Sequence, residues 1–220
     1  MSKSMYSLIL IDEIVKSVDK LAHQRGTNRS NLINQILAEH LSLKTPEKRI
    51  SEIFVHTGDN LDEDTLQVVQ CTSGTLVVKG AVNFKYNPTI RYQLNLNAAP
   101  RAYTGELKIS TRTQSKSLIY RLSMFYELWM QIEKACPAEI RKNKPKFEVG
   151  GGKFSREITV SHRGEGIDHE ALGKAIADYL HLFDKTMSMF FETKAGVDVG
   201  TYKEMLLMYE KLIQDSEIMV

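Results

Sequence analysis

The feature that most constrains this chain is a change of hydrophobic period within its first 41 residues. From Tyr6 to Ile11 the residues favour a β-strand, and at Asp12-Glu13 the spacing turns helical, with apolar Ile14, Val15, Val18, Leu21 and Ala22. Gly26, following Arg25, supplies the left-handed conformation that ends a helix, and Asn28 is placed to cap a second helix beginning at Arg29. That helix carries Leu32, Ile33, Ile36, Leu37 and Leu41 on one face. A strand and two helices of this size bury too little apolar surface to fold alone, so pairing with a second copy is expected.

The run SLILIDEIVKSVDKLAHQRGTNRSNLINQILAEHL resembles ribbon-helix-helix proteins of the MetJ, Arc and CopG-like superfamily, most specifically in its Asp-Glu opening and in Gly26-Thr27-Asn28-Arg29-Ser30. The resemblance implies a dimeric prokaryotic regulator that binds double-stranded DNA. In that family two strands from two chains form an antiparallel ribbon in the major groove, with the helices interlocked beneath it. Strand alternation then assigns Tyr6, Leu8 and Leu10 to the dimer core and Met5, Ser7 and Ile9 to the face that meets base edges. Family members carry hydrogen-bonding side chains at those exposed positions, whereas only Ser7 qualifies here, so weak direct readout of sequence is expected. Backbone N–H groups near Arg29 and Ser30, behind the Asn28 cap, suit a phosphate oxygen, and Lys3 either adds a contact from the arm or is simply solvated.

The remaining chain reads as α+β, strands first and helices after. Thr45-Pro46-Glu47 starts a connector helix carrying Ile50, Ile53 and Phe54, and an acidic loop follows from His56 to Asp64. Expected strands are Thr65 to Cys71, Thr75 to Lys85, Thr89 to Asn97 and Glu106 to Arg112, with a loop from Ala98 to Gly105, arranged as an antiparallel meander. A helix from Ser117 to Ala135 ends before Pro137, a hairpin joins Lys146–Val149 to Lys153–His162 around three glycines, and helices from Asp168 and Thr201 complete the chain. The organisation expected is a ribbon-helix-helix module over 1–43, a connector over 44–64 and an α+β domain over 65–220. That last domain would sense a small molecule, bind a protein partner or build higher homo-oligomers.

The net charge of +2 conceals a segregation: residues 50–70 carry −5, residues 71–163 carry +10 and residues 164–220 carry −6. The basic middle is either a polyanion-binding surface or is neutralised by acidic helices of its own fold. Cys71 and Cys136 form no Cys-x-x-Cys pair and read as small core residues of a cytoplasmic protein. No stretch has the length and hydropathy of a membrane span. The six histidines show no metal-ligand spacing, although His162 and His169 flank a glycine-containing turn, and no cofactor is expected. The three glycines at 150–152 lack the rest of a phosphate-binding loop, and no catalytic motif is present, so carboxylates such as Glu127 and Glu133 are expected on solvated helix faces and no enzyme is expected. A repressor is the first functional expectation. The alternative is a protein-interaction factor, antitoxin-like or a phage accessory factor, whose DNA binding is weak or nonspecific.

Overall fold

Two separate hydrophobic clusters organise the computed structural model, which describes residues 5–41, 45–99, 102–136, 145–161, 167–193 and 197–216. Helix α1 (Asp12–Gln24) places Asp12 and Glu13 in its first turn, where carboxylates favour the positive end of the helix. It ends at Gly26, whose φ of 62° is the left-handed conformation expected of it. Helix α2 (Arg29–His40) follows, capped by Asn28, whose side-chain oxygen accepts from the Asn31 N–H at 2.9 Å. The smaller cluster consists of buried Val18, Ala22 and Leu32, with Leu21 and Ile33 against them.

The strand expected over Tyr6–Ile11 is corrected: residues 5–11 belong to no strand, and the first element of the chain is a helix. A strand needs a ladder, and among the described residues no strand lies beside the segment. The apolar stripes of α1 and α2 are likewise only partly used, because Ile14, Ile36, Leu37 and Leu41 remain exposed.

Helix α3 (Pro46–Asp59) begins at the Thr45 cap with Pro46 in its first turn. It is a core element rather than a spacer, since Ile50, Ile53 and Phe54 are buried in the larger cluster. Strands β1 (Gln67–Cys71), β2 (Thr75–Ala81), β3 (Thr89–Ala99) and β4 (Ala102–Thr111) form the expected meander. Helix α4 (Lys116–Ala135) follows, and the hairpin β5 (Phe147–Gly150) and β6 (Lys153–Ser161) returns with β6, not β5, beside β4. All neighbouring strands are antiparallel. Helices α5 (His169–Glu192) and α6 (Val199–Asp215) are capped by Asp168 and Asp198.

Three boundaries differ from expectation by four residues, the first being that of α3, which runs on to Asp59 through the start of the loop expected from His56 to Asp64. The second strand stops at Ala81 rather than Lys85, because Val82 donates to the Pro88 carbonyl and closes a loop in which Tyr86 and Asn87 take positive φ. The loop expected from Ala98 to Gly105 is mostly strand, with Ala99 paired to Ala102. Alanine is a poor strand former by propensity, and the ladder overrides it.

Alternation along the sheet makes one face apolar. Leu76, Val78, Ile90, Tyr92, Leu94, Leu107, Ile109 and Phe154 are buried in the same cluster as residues of α3, α4, α5 and α6. Phe183 of α5 is the hub of an aromatic core, with the rings of Phe125 and Trp129 at 5.2 Å and Phe154 at 5.4 Å. Helices α3 and α5 approach so closely at Gly173 that a Cβ there would lie 2.6 Å from His56 Cβ and 2.8 Å from the Ile53 carbonyl oxygen. The opposite face carries mostly polar residues, Lys79, Arg91, Gln93, Lys108 and Lys153 among them, with Val77 buried between them, as is common in antiparallel sheets.

Candidate nucleic-acid interface

The start of α2 brings Asn28, Arg29 and Ser30 together. The Asn28 side chain takes the Asn31 N–H and its carbonyl takes the Leu32 N–H, so the N–H groups of Arg29 and Ser30 make no hydrogen bond among the described residues. Two such donors at a helix N-terminus suit an anionic oxygen. The Arg29 side chain, by contrast, is engaged: its Nε donates to Asp19 Oδ1 at 2.6 Å, and Nη2 donates to the other carboxylate oxygen. Hydrogen bonds from Arg29 hold the Asp19 carboxyl below its ordinary value. This fork ties the start of α2 to α1 and leaves the backbone N–H of Arg29, rather than its guanidinium, without a hydrogen bond among the described residues.

Met5, Ser7 and Ile9 lie on the segment before α1 and are exposed, Met5 at 99% and Ile9 at 103%. Tyr6, Leu8 and Leu10, assigned to a dimer core, are exposed as well, so the single chain does not separate the segment into an inner and an outer face. Lys3 lies outside the described residues.

Of the two cysteines expected in the core, one lies there and the other does not. Cys136 is buried but Cys71 is exposed, because β1 is an edge strand exposed along its whole length. His169 of α5 sits in a line of hydrogen bonds, its Nδ1 at 2.8 Å from Glu52 Oε2 and its Nε2 at 2.8 Å from the Tyr103 hydroxyl. The Tyr103 ring is buried. His162 lies outside the described residues, and among those described no three histidine, cysteine or acidic side chains gather as a metal site. The Gly150-Gly151-Gly152 run is a hairpin turn, with Gly151 and Gly152 at positive φ, and a strand rather than a helix follows it.

The largest departure is Glu133. Expected on a solvated helix face, it is fully buried and ligated from several elements. Its Oε1 accepts from Trp129 Nε1 at 2.8 Å and from the Tyr179 hydroxyl at 2.6 Å, while Oε2 accepts from Arg156 Nε at 2.9 Å and the Tyr209 hydroxyl at 3.1 Å. Burial works against the Arg156 cation, yet the adjacent Glu133 carboxylate holds its pKa above the ordinary value. Burial, reinforced by the charge of Glu133, pushes the Tyr179 and Tyr209 hydroxyls up as well. The cluster joins α4, β6, α5 and α6, and it serves as a structural pin. The only signal in the sequence was the Trp129-x-x-x-Glu133 spacing of one helical turn, which does not reveal that Tyr179, Tyr209 and Arg156 converge on it.

Compared with known proteins, the chain matches no family model, no curated protein and no solved structure. Among the described residues no helix is long and apolar enough to cross a membrane.

Proposed function

We propose that the chain is a DNA-binding transcriptional regulator of ribbon-helix-helix type, in which residues 5–11 of two copies pair into a ribbon and the α+β domain senses a ligand or partner or extends the assembly. The observation that carries this reading is the imbalance of the N-terminal module. Three residues form its buried core, while Met5, Tyr6, Leu8, Ile9, Leu10, Ile11, Ile14, Ile36, Leu37 and Leu41 are exposed. Apolar surface of that density on so short a unit calls for a covering partner, and a second copy covers Tyr6, Leu8 and Leu10 by the same ribbon that satisfies the backbone of residues 5–11. The free N–H groups of Arg29 and Ser30 then supply a phosphate contact in each copy.

Light scattering should find a dimer at micromolar concentration, and a monomer there would remove the ribbon. Binding to the promoter of the protein's own operon, compared with scrambled DNA across a salt series, tests regulation. A regulator keeps a sequence preference as salt weakens the electrostatic contribution.

A second reading is favoured by the exposed ribbon residues themselves. Met5 and Ile9 offer apolar surface where bases would call for hydrogen-bonding groups, and such surface suits another protein. Under this reading the module dimerises an antitoxin-like or accessory factor. Equal affinity for promoter and scrambled DNA at every salt concentration would support it.

A further inference from the structure

The open face of the sheet resolves the charge segregation noted in the sequence. Residues 65–105 contain no aspartate or glutamate, and the strands drawn from that stretch bring their cations into register with those of β6. Lys79 of β2 stands opposite Arg91 of β3, Arg91 opposite Ser110 of β4, and Ser110 opposite Lys153 of β6. These four side chains form one row across four strands, a span of about 14 Å at the usual interstrand spacing. Lys79, Arg91 and Lys153 are exposed and make no ion pair among the described residues. Like charges directly opposed across an antiparallel pair destabilise the sheet. A row that sets Lys79 against Arg91 therefore has no structural reason of its own.

The neighbouring rows differ. Lys108 is paired with Glu106 at 2.8 Å, and Lys146 with Glu157 at 3.4 Å. A groove of about 480 Å³ over this part of the face is lined by Lys108, Ser110, Lys153 and Ser155 together with Glu106 and Glu148. Charge is thus graded along the face, uncompensated and positive at the Lys79–Arg91–Lys153 row and acidic beyond it.

We propose that this row binds the phosphate backbone of duplex DNA, as a second contact beside the N-terminal module; the inference rests on the DNA-binding reading given above. Charge complementarity selects a polyanion, and Glu106, Glu148 and Glu157 confine it to the basic end. The absence of aromatic side chains from this row and from Val77, Gln93, Lys108 and Ser155 beside it selects a duplex, because proteins that hold single strands stack unpaired bases on aromatic rings. Lysine, arginine and serine facing phosphates position DNA without reading its sequence. Two contacts on one chain also make the second binding step intramolecular, so a modest site adds substantially to affinity.

The test uses the full chain and fluorescence anisotropy with promoter and scrambled duplexes over a salt series. The variant Lys79→Gln/Arg91→Gln/Lys153→Gln should reduce the slope of log K against log salt by about 2 to 3, and affinity on the order of 100-fold at about 0.1 M salt, equally for both duplexes. Lys146→Gln, at the acidic end, should leave the slope unchanged. If the triple variant melts below the unaltered chain, Lys153→Gln alone should still reduce the slope by about 0.9. Ser30→Glu, which sets a carboxylate at the α2 phosphate contact, separates this inference from the reading beneath it. Loss with Ser30→Glu but not with the sheet variants overturns the sheet contact and leaves the N-terminal one standing. Loss with the sheet variants alone does the reverse, and loss with both supports both. Failure of the unaltered chain to bind duplex at low salt, or tighter binding to a single strand of the same sequence, overturns the sheet contact.

Discussion

Residues 5–41 and residues 45–216 spend similar hydrophobic sequences in opposite ways. In the second region the apolar face of a six-stranded sheet and the stripes of four helices meet in one cluster centred on Phe183. In the first, two helices bury three residues between them, and ten large apolar side chains stay exposed, six of them on the segment before α1. Helix starts are signalled in both regions, by Asn28 at α2 as by Thr45, Ser115, Asp168 and Asp198 at later helices, although α1 has no side-chain cap and is marked only by Asp12 and Glu13. Local signals start and stop helices, and burial requires a surface of matching area to lie against. The later region contains such a surface, whereas the module is proposed to find it in a second chain.

The sharpest test of that contrast is to damage each region in the way it is held. Glu133→Ala should cost the later region about 3–5 kcal/mol in urea denaturation, since it removes a buried carboxylate that faces the Arg156 cation and accepts from Trp129, Tyr179 and Tyr209. That loss should not depend on protein concentration, and a cost under ~1 kcal/mol would show the cluster to be dispensable. Leu8→Asp, in the proposed ribbon core, should instead raise the dimer dissociation constant by roughly 100-fold, equivalent to about 2.7 kcal/mol. Sedimentation would read this change, while the near-ultraviolet spectrum of the aromatic core stays unaltered. Gly173→Ala should cost about 1–3 kcal/mol, because α3 and α5 must separate to admit the methyl group. An unchanged unfolding midpoint would mean that α3 moves freely and is not a core element.

Smaller effects belong to the module. Asn28→Ala should lower helix stability by about 1 kcal/mol through loss of the cap, visible as faster amide exchange at Asn31. The Asp19–Arg29 fork gives the module an acid sensitivity whose sign follows from the lowered carboxyl value. Asp19 binds its proton less tightly folded than unfolded, so its contribution is fully present above the ordinary value of 3.8 and is lost as pH falls through the lower folded value. Carboxyl chemical shifts through an acid titration would check this. A titration at or above the ordinary value would show that the fork does not persist in solution.

Much of the later fold was legible because its elements carry strong local signals. The four-three spacing from Leu118 to Cys136 gave α4, Asp168 gave the start of α5, and Gly151-Gly152 gave the last hairpin. Less legible were features that depend on partners distant in sequence. Ala99 and Ala102 are strand residues because a ladder holds them, and β6 rather than β5 lies beside β4 because of the chain's return after α4. At the candidate interface, the Asn28 cap was readable from spacing, while the diversion of the Arg29 guanidinium onto Asp19 was not. A pair ten residues apart meets only when the turn between the helices takes its particular angle.

The sequence alone determined that the later helices and the strand meander form, where Asn28 and Asp168 cap helices, and that positive charge gathers in residues 71–163. These are set by capping chemistry, side-chain period and composition, which act over a few residues. Tertiary structure alone decided that Glu133 is buried, that Cys71 is exposed, and that Lys79, Arg91 and Lys153 share one row. Each of these depends on strand register and helix packing between segments tens of residues apart, where burial and ladder hydrogen bonds outweigh local preference.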